Sequence, residues 1–193
     1  MSIKINNSVN LYSNIVKCKE QGLTGSFKEI RKDDGKSDKK RIGFATVKGE
    51  TKGKLYIMTA HYGEKFTVDN PIITVKLKGK EYDIDISKVD PENATDLEMF
   101  ALCSYEDATK GRSGSFGRWT ALKYQKENAI DNGEFKETNS MEEFKELRQN
   151  WLLMVAKMRE LYLKSGIYKQ VLKSNILLES MKKPTVSLGR YHS

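Results

Sequence analysis

The sequence predicts an α+β fold: a mainly antiparallel four-stranded sheet over about residues 42–87, followed by a three- or four-helix C-terminal layer. Three observations predict it. Between 42 and 87, β-branched and aromatic residues form short runs with period-two alternation, separated by glycine-containing turns. After Val89-Asp-Pro91 the apolar spacing becomes helical. Strands come first and helices after, which is the order of an α+β domain and not of an alternating parallel one.

Residues 1–40 have weak periodicity. Val9, Leu11, Tyr12, Ile15 and Val16 share one helical stripe that Gly22 and Gly25 end, and a short piece around Phe27 and Ile30 follows. The polar stretch 32–40 is the best boundary in the chain. It sets off a basic, weakly structured arm (1–40) from a single domain (41–181) and a basic tail (182–193). Ile42–Val47 and Leu55–His61 read as the first two strands, and Ile72–Lys78 with Glu81–Ile86 as a hairpin. A Gly79-Lys80 loop of type II′ sets Lys78 opposite Glu81, Lys76 opposite Asp83 and Thr74 opposite Asp85. The other face then carries Leu77, Val75, Ile73, Tyr82, Ile84 and Ile86, an apolar surface for the helices.

Thr95-Asp-Leu-Glu98 and Ser140-Met-Glu-Glu143 have the spacing of capping boxes. The first opens a helix, Leu97–Tyr105, that is apolar almost all round and hence buried on several sides. The second opens the longest helix, about 140–165, with Phe144, Leu147, Trp151, Val155, Met158 and Tyr162 on one stripe and Gly166 as its cap. Between them Arg118–Asp131 forms a shorter helix closed by Gly133. A last helix carries Tyr168, Val171, Leu172, Ile176 and Leu178, and stops before Pro184.

Charge narrows the functional classes. The chain has 34 Lys and Arg against 26 Asp and Glu, a net of +8. Residues 1–54 hold 13 basic and 6 acidic side chains, net +7; residues 55–181 hold 18 and 20, net −2; the last twelve hold three and none, net +3. The basic character belongs to the ends. Lys36, Lys39, Lys40 and Arg41 are the densest cluster and the candidate contacts of the arm. Asp33, Asp34 and Asp38 are mixed into the same stretch, and no aromatics interleave to stack on bases, so nucleic acid is a secondary partner expectation. No run of 18 apolar residues exists, and the start lacks the apolar stretch of a secretory signal; the expectation is a cytoplasmic protein with no membrane span.

The most function-like local feature is Gly111-Arg-Ser-Gly-Ser-Phe-Gly117. Its glycines let backbone amides approach an anion, and Arg112 and Arg118 bring charge to the start of a helix. Gly111, Arg112, Ser113, Gly114, Ser115 and Arg118 are therefore candidate anion-binding residues. The loop lacks the GK[ST] ending of a P-loop and the central serine of a G-x-S-x-G elbow. His61 and His192 offer no zinc-ligand spacing, so neither metal nor cofactor is expected. Cys18 and Cys103 stand 85 positions apart and make no disulfide framework. Cys103 with His61 is a conceivable nucleophile pair, yet Cys103 sits in an apolar helix, the setting of a packed thiol. Asp83 and Asp85 share a strand face, each opposite a cross-strand partner, and Glu142, Glu143 and Glu146 suit a helix first turn. No catalytic set assembles.

The segment Val89-Asp-Pro-Glu-Asn-Ala-Thr-Asp-Leu-Glu-Met-Phe-Ala-Leu-Cys-Ser-Tyr105, followed by the Gly-Ser loop and Trp151-Leu-Leu-Met-Val-Ala-Lys-Met158, resembles a family of uncharacterised bacterial proteins of the Firmicutes type. The resemblance covers about residues 55–181 and implies a bacterial protein; it brings no activity, cofactor or site residue. The functional expectation is a non-enzymatic binding or assembly module that engages a protein partner or itself. Nucleic-acid binding through the basic ends and anion chemistry at the 111–117 loop are the alternatives.

Overall fold

The computed structural model describes residues 41–48, 55–111, 117–138 and 140–182. The basic arm before Arg41, with Lys36, Lys39 and Lys40, and the tail after Lys182 lie outside the described residues. Strands β1 (Arg41–Lys48), β2 (Leu55–Tyr62), β3 (Ile72–Leu77) and β4 (Lys80–Asp85) form one antiparallel sheet in sequence order. A 3-10 turn (Ile86–Lys88) leads to helices α1 (Asp96–Thr109), α2 (Gly117–Asp131), α3 (Met141–Glu146), α4 (Trp151–Lys164) and α5 (Tyr168–Met181). The fold is α+β, as the order of periodicities predicts.

The hairpin differs from its expected register in an instructive way. It turns on Lys78-Gly79, where both residues have positive φ (52° and 73°), the pattern of a type I′ turn. Lys76 therefore pairs with Glu81, Thr74 with Asp83, Val75 with Tyr82 and Ile73 with Ile84. Moving the turn by one residue changes the partners and leaves every side chain on its predicted face. The new partners are well matched: Lys76 Nζ lies 2.8 Å from Glu81, and the Thr74 hydroxyl donates to Asp83 at 2.7 Å. Ile86 leaves the strand for the 3-10 turn and packs in the core from there.

The inner face of the sheet, Met58, Ala60, Ile73, Val75 and Leu77, is buried, and α1 packs on it. Phe100 on α1 joins that core as expected. The principal helical neighbours of α4, which carries Trp151 and Met158, are α2 and α5, so these two side chains reach the same cluster from the helical side. The approach of α1 to the sheet depends on Gly43, at the irregularity in the β1–β2 ladder. A Cβ there would overlap the Ser104 hydroxyl and stand 2.7 Å from its Cβ. The α1 capping box forms as read: Thr95 N–H donates to Glu98 at 2.8 Å, and Glu98 N–H to the Thr95 hydroxyl at 3.2 Å. Gly133 and Gly166 close α2 and α4 with paired backbone bonds of Schellman type, Glu134 N–H to Ala129 O (2.8 Å) and Ile167 N–H to Tyr162 O (2.8 Å) among them.

One helical expectation is corrected, and the last helix, which forms as read, divides its apolar residues between two faces. The long helix from 140 breaks into α3 and α4, because residues 147–150 bond elsewhere. Gln149 exchanges backbone bonds with Ala94 (3.0 and 3.2 Å), and Asn150 caps α4 by accepting from Leu153 N–H at 2.8 Å. In α5 the buried stripe is Val171, Ser174, Leu177 and Met181, whereas Tyr168, Leu172 and Ile176 are exposed. Ser174 occupies the centre of the packed face, its hydroxyl satisfied by Gln170 O at 2.9 Å.

Gly43→Ala is expected to lower stability by about 1–3 kcal/mol through overpacking against α1. The shift of the urea midpoint measures it; an unchanged midpoint would show that α1 does not rest on Gly43.

Candidate functional site

The predicted anion loop is met first. Gly111 is exposed with a φ of 80°, and residues 112–116, which include Arg112, Ser113, Gly114 and Ser115, lie outside the described residues. Arg118 is buried at the start of α2. Its backbone N–H donates to Asp107 Oδ2 at 2.9 Å, and its guanidinium donates to Asp107 Oδ1 at 2.6 Å and to Gly111 O at 2.7 Å. Arg118 thus meets a carboxylate at the start of α2 through both its backbone N–H and its guanidinium. The anion is the protein's own Asp107, from the last turn of α1. Arg41 stands exposed at the start of β1, its guanidinium 5.7 Å from the Phe44 ring centre.

Cys103 is buried and unpaired by any disulfide. Burial pushes its thiol well above the ordinary range; Asp107 and Glu106 add to the shift and Arg118 opposes it. At neutral pH it is a packed thiol and not a nucleophile. The His61 ring nitrogen Nε2 lies 3.0 Å from the Thr59 hydroxyl on the outer sheet face. Asp83 accepts from Thr74. Asp85 caps the 3-10 turn, and its bonds to Ser87 and Lys88 hold its carboxyl below the usual range. Glu142, at the start of α3, pairs with Lys145 at 2.7 Å, which lowers its carboxyl in turn. Among the described residues no three His, Cys, Asp or Glu side chains are grouped to hold a metal ion.

A third cluster escaped the sequence. Lys126 of α2 and Asp96 of α1 are only 8% and 2% exposed. The Lys126 ammonium donates to Asp96 Oδ1 at 2.6 Å and to the Thr138 hydroxyl at 2.8 Å, and Thr138 donates to Asp96 Oδ2 at 2.8 Å. The ammonium also lies 5.3 Å from the Trp151 ring centre and 6.0 Å from that of Phe135. This closed triangle ties α1, α2 and the segment after α2 together. It forms part of the wall of a pocket of about 120 Å³ between β1, α2, the 137–138 segment and α3. The available signal was Lys126 within the stripe Trp119, Leu122, Lys126, Ala129, because a cation on a buried face requires a partner.

A fourth feature is a surface. Tyr168, Leu172 and Ile176 are 66%, 64% and 43% exposed and recur every four residues, one apolar face along α5. Lys169 and Lys173 lie toward the start of that helix and Glu179 toward its end.

No protein-family model, curated protein or solved structure matches the chain. Among the described residues no helix is long and apolar enough to cross a membrane.

Lys126→Met and Asp96→Ala should each destabilise the fold by about 3–5 kcal/mol, since each strands a buried charge. The double variant should lose less than the sum of the two, read as a coupling energy in a denaturation cycle; additive losses would mean the pair does not interact. In a Cys18→Ser background, Cys103 should react with a thiol reagent such as DTNB only after denaturant is added, and rapid native labelling would contradict the assigned burial.

Proposed function

We propose that this protein is a non-enzymatic assembly module that self-associates through the exposed face of α5, with a second copy of the chain as its partner. The observation that carries the reading is the stripe Tyr168, Leu172, Ile176, three large apolar side chains left in water on a helix whose opposite face is already packed. The stripe is self-complementary. Two α5 helices packed antiparallel about Leu172 set Tyr168 of each copy against Ile176 of the other, as a two-fold interface requires.

One helix face covers less than the roughly 800 Å² per partner of a stable interface, so the association is weak and concentration-dependent. A cytoplasmic location and the bacterial origin implied by the 89–105 segment belong to the same proposal. Catalysis is left out of it because the groups with catalytic potential are engaged internally: Arg118 by Asp107, and Asp96 by Lys126 and Thr138.

Sedimentation velocity from about 10 µM to about 1 mM tests the reading across the range of weak affinities. The wild-type chain should shift from monomer to dimer, and Leu172→Glu should stay monomeric with an unchanged circular dichroism spectrum. A wild-type protein that is monomeric throughout, or a Leu172→Glu variant that dimerises equally, would overturn it.

A further inference from the structure

We propose that Asn132 is a site of covalent self-modification: its side-chain amide is lost to the backbone nitrogen of Gly133, at a rate set by opening of the last turn of α2. Asn132-Gly133 is the one Asn-Gly pair in the sequence. Glycine has no Cβ to hinder its nitrogen as it approaches the preceding side chain. The pair stands just past the end of α2, with Asn132 half-buried and Gly133 exposed to water.

The chemistry needs only water and hydroxide. The Gly133 nitrogen gives its proton to hydroxide and attacks Asn132 Cγ. A C–N bond forms, the Cγ–Nδ2 bond breaks, and Nδ2 takes a proton from water and leaves as ammonia. The product is a five-membered succinimide, which water opens on either side of the ring nitrogen. Cleavage at Cγ gives aspartate. Cleavage at the Asn132 backbone carbonyl carbon gives iso-aspartate, whose main chain runs through Cβ and Cγ.

The closed turn keeps both reacting groups out of this course. The Gly133 N–H donates to Ile130 O at 2.9 Å, and Asn132 Nδ2 donates to Asn128 O at 2.7 Å. Turning the nitrogen onto Cγ breaks these two bonds together, so attack starts from the opened turn. The conversion also has consequences beyond the turn. The segment that follows packs Phe135 on Trp151, bonds Lys136 to the Gln149 side chain (3.0 and 3.2 Å) and places Thr138 in the Lys126–Asp96 triangle. Iso-aspartate lengthens the main chain immediately before it. Either product puts a new carboxylate at the C-terminal end of α2, next to Asp131, where the helix dipole disfavours it.

The test incubates the full chain at mildly alkaline pH, native and in concentrated guanidinium chloride. Peptide mass spectrometry follows conversion at 132, and digestion with Asp-N distinguishes aspartate from iso-aspartate. Native conversion should be slower by about tenfold or more. Gln149→Ala removes both side-chain bonds to Lys136; it should raise the native rate about threefold or more and leave the denatured rate unchanged. Chains converted at 132, separated by their added negative charge, should unfold at a lower urea midpoint than unconverted ones. Equal native and denatured rates overturn the proposal, as does the absence of conversion at 132 in guanidinium chloride. So does a native rate that Gln149→Ala leaves unchanged, and so does a converted chain with the midpoint of the unconverted one.

Discussion

The fold depends on the place where the start of α4 is tied to the start of α1. Pro91 O accepts the Trp151 backbone N–H at 2.9 Å, Ala94 and Gln149 exchange backbone bonds, and the Trp151 indole donates to Ala94 O at 2.9 Å. Arg148 completes the tie with bonds to Glu98 (2.8 and 3.1 Å) and to Asn93 O (2.7 Å). A helix start leaves four amides without intrahelical partners. Here α4 satisfies Leu153 through Asn150 and Trp151 through Pro91, a residue far away in sequence. The start of α4 is thus completed by the segment that leads into α1, whereas α1 is capped by its own Thr95 and Glu98. The tie also holds Trp151 where it packs edge-on to Phe135, with ring centres 4.9 Å apart, and faces Lys126. The buried charge is therefore positioned by a backbone junction.

That junction also marks the limit of what could be read from the sequence. Signals confined to a few residues were legible: the Thr95–Glu98 box, the glycine caps at Gly133 and Gly166, the strand alternation and the faces of the hairpin. The break at 147–150 was not, because the apolar stripe through Leu147 and Trp151 continues at helical spacing. The bonds that interrupt it come from residues more than fifty positions earlier. The hairpin partners moved for a related reason. Parity fixes the faces, but either of two adjacent turns gives Lys76 a carboxylate partner, Asp83 in the expected register and Glu81 in the observed one.

The helix α5 was legible as a helix, but its buried face was not. The helix has more apolar residues than one packed face takes up, and periodicity cannot rank the two stripes. The packed face consists of Val171, Ser174, Leu177 and Met181. Tyr168, Leu172 and Ile176 are then placed outward by geometry. The exposed face is a consequence of how the buried one packs.

Charge has two roles in this body, and separation along the chain divides them. Lys145–Glu142 and Lys88–Asp85 are close in sequence and touch water, so each contributes little to stability. Arg118–Asp107 and Lys126–Asp96 join separate elements and are buried, and both cations lie on α2. The buried side of α2 also includes Gln125 and Asn128, so polar groups share it with Trp119 and Leu122. An apolar helix can slide or rotate on its neighbours at small cost. One pinned by two ion pairs cannot, because a displacement of a few ångströms strands both charges. The pinned helix supplies Trp119, Lys123 and Glu127 to the wall of the pocket, so the backbone on that side of the pocket is fixed by the two ion pairs.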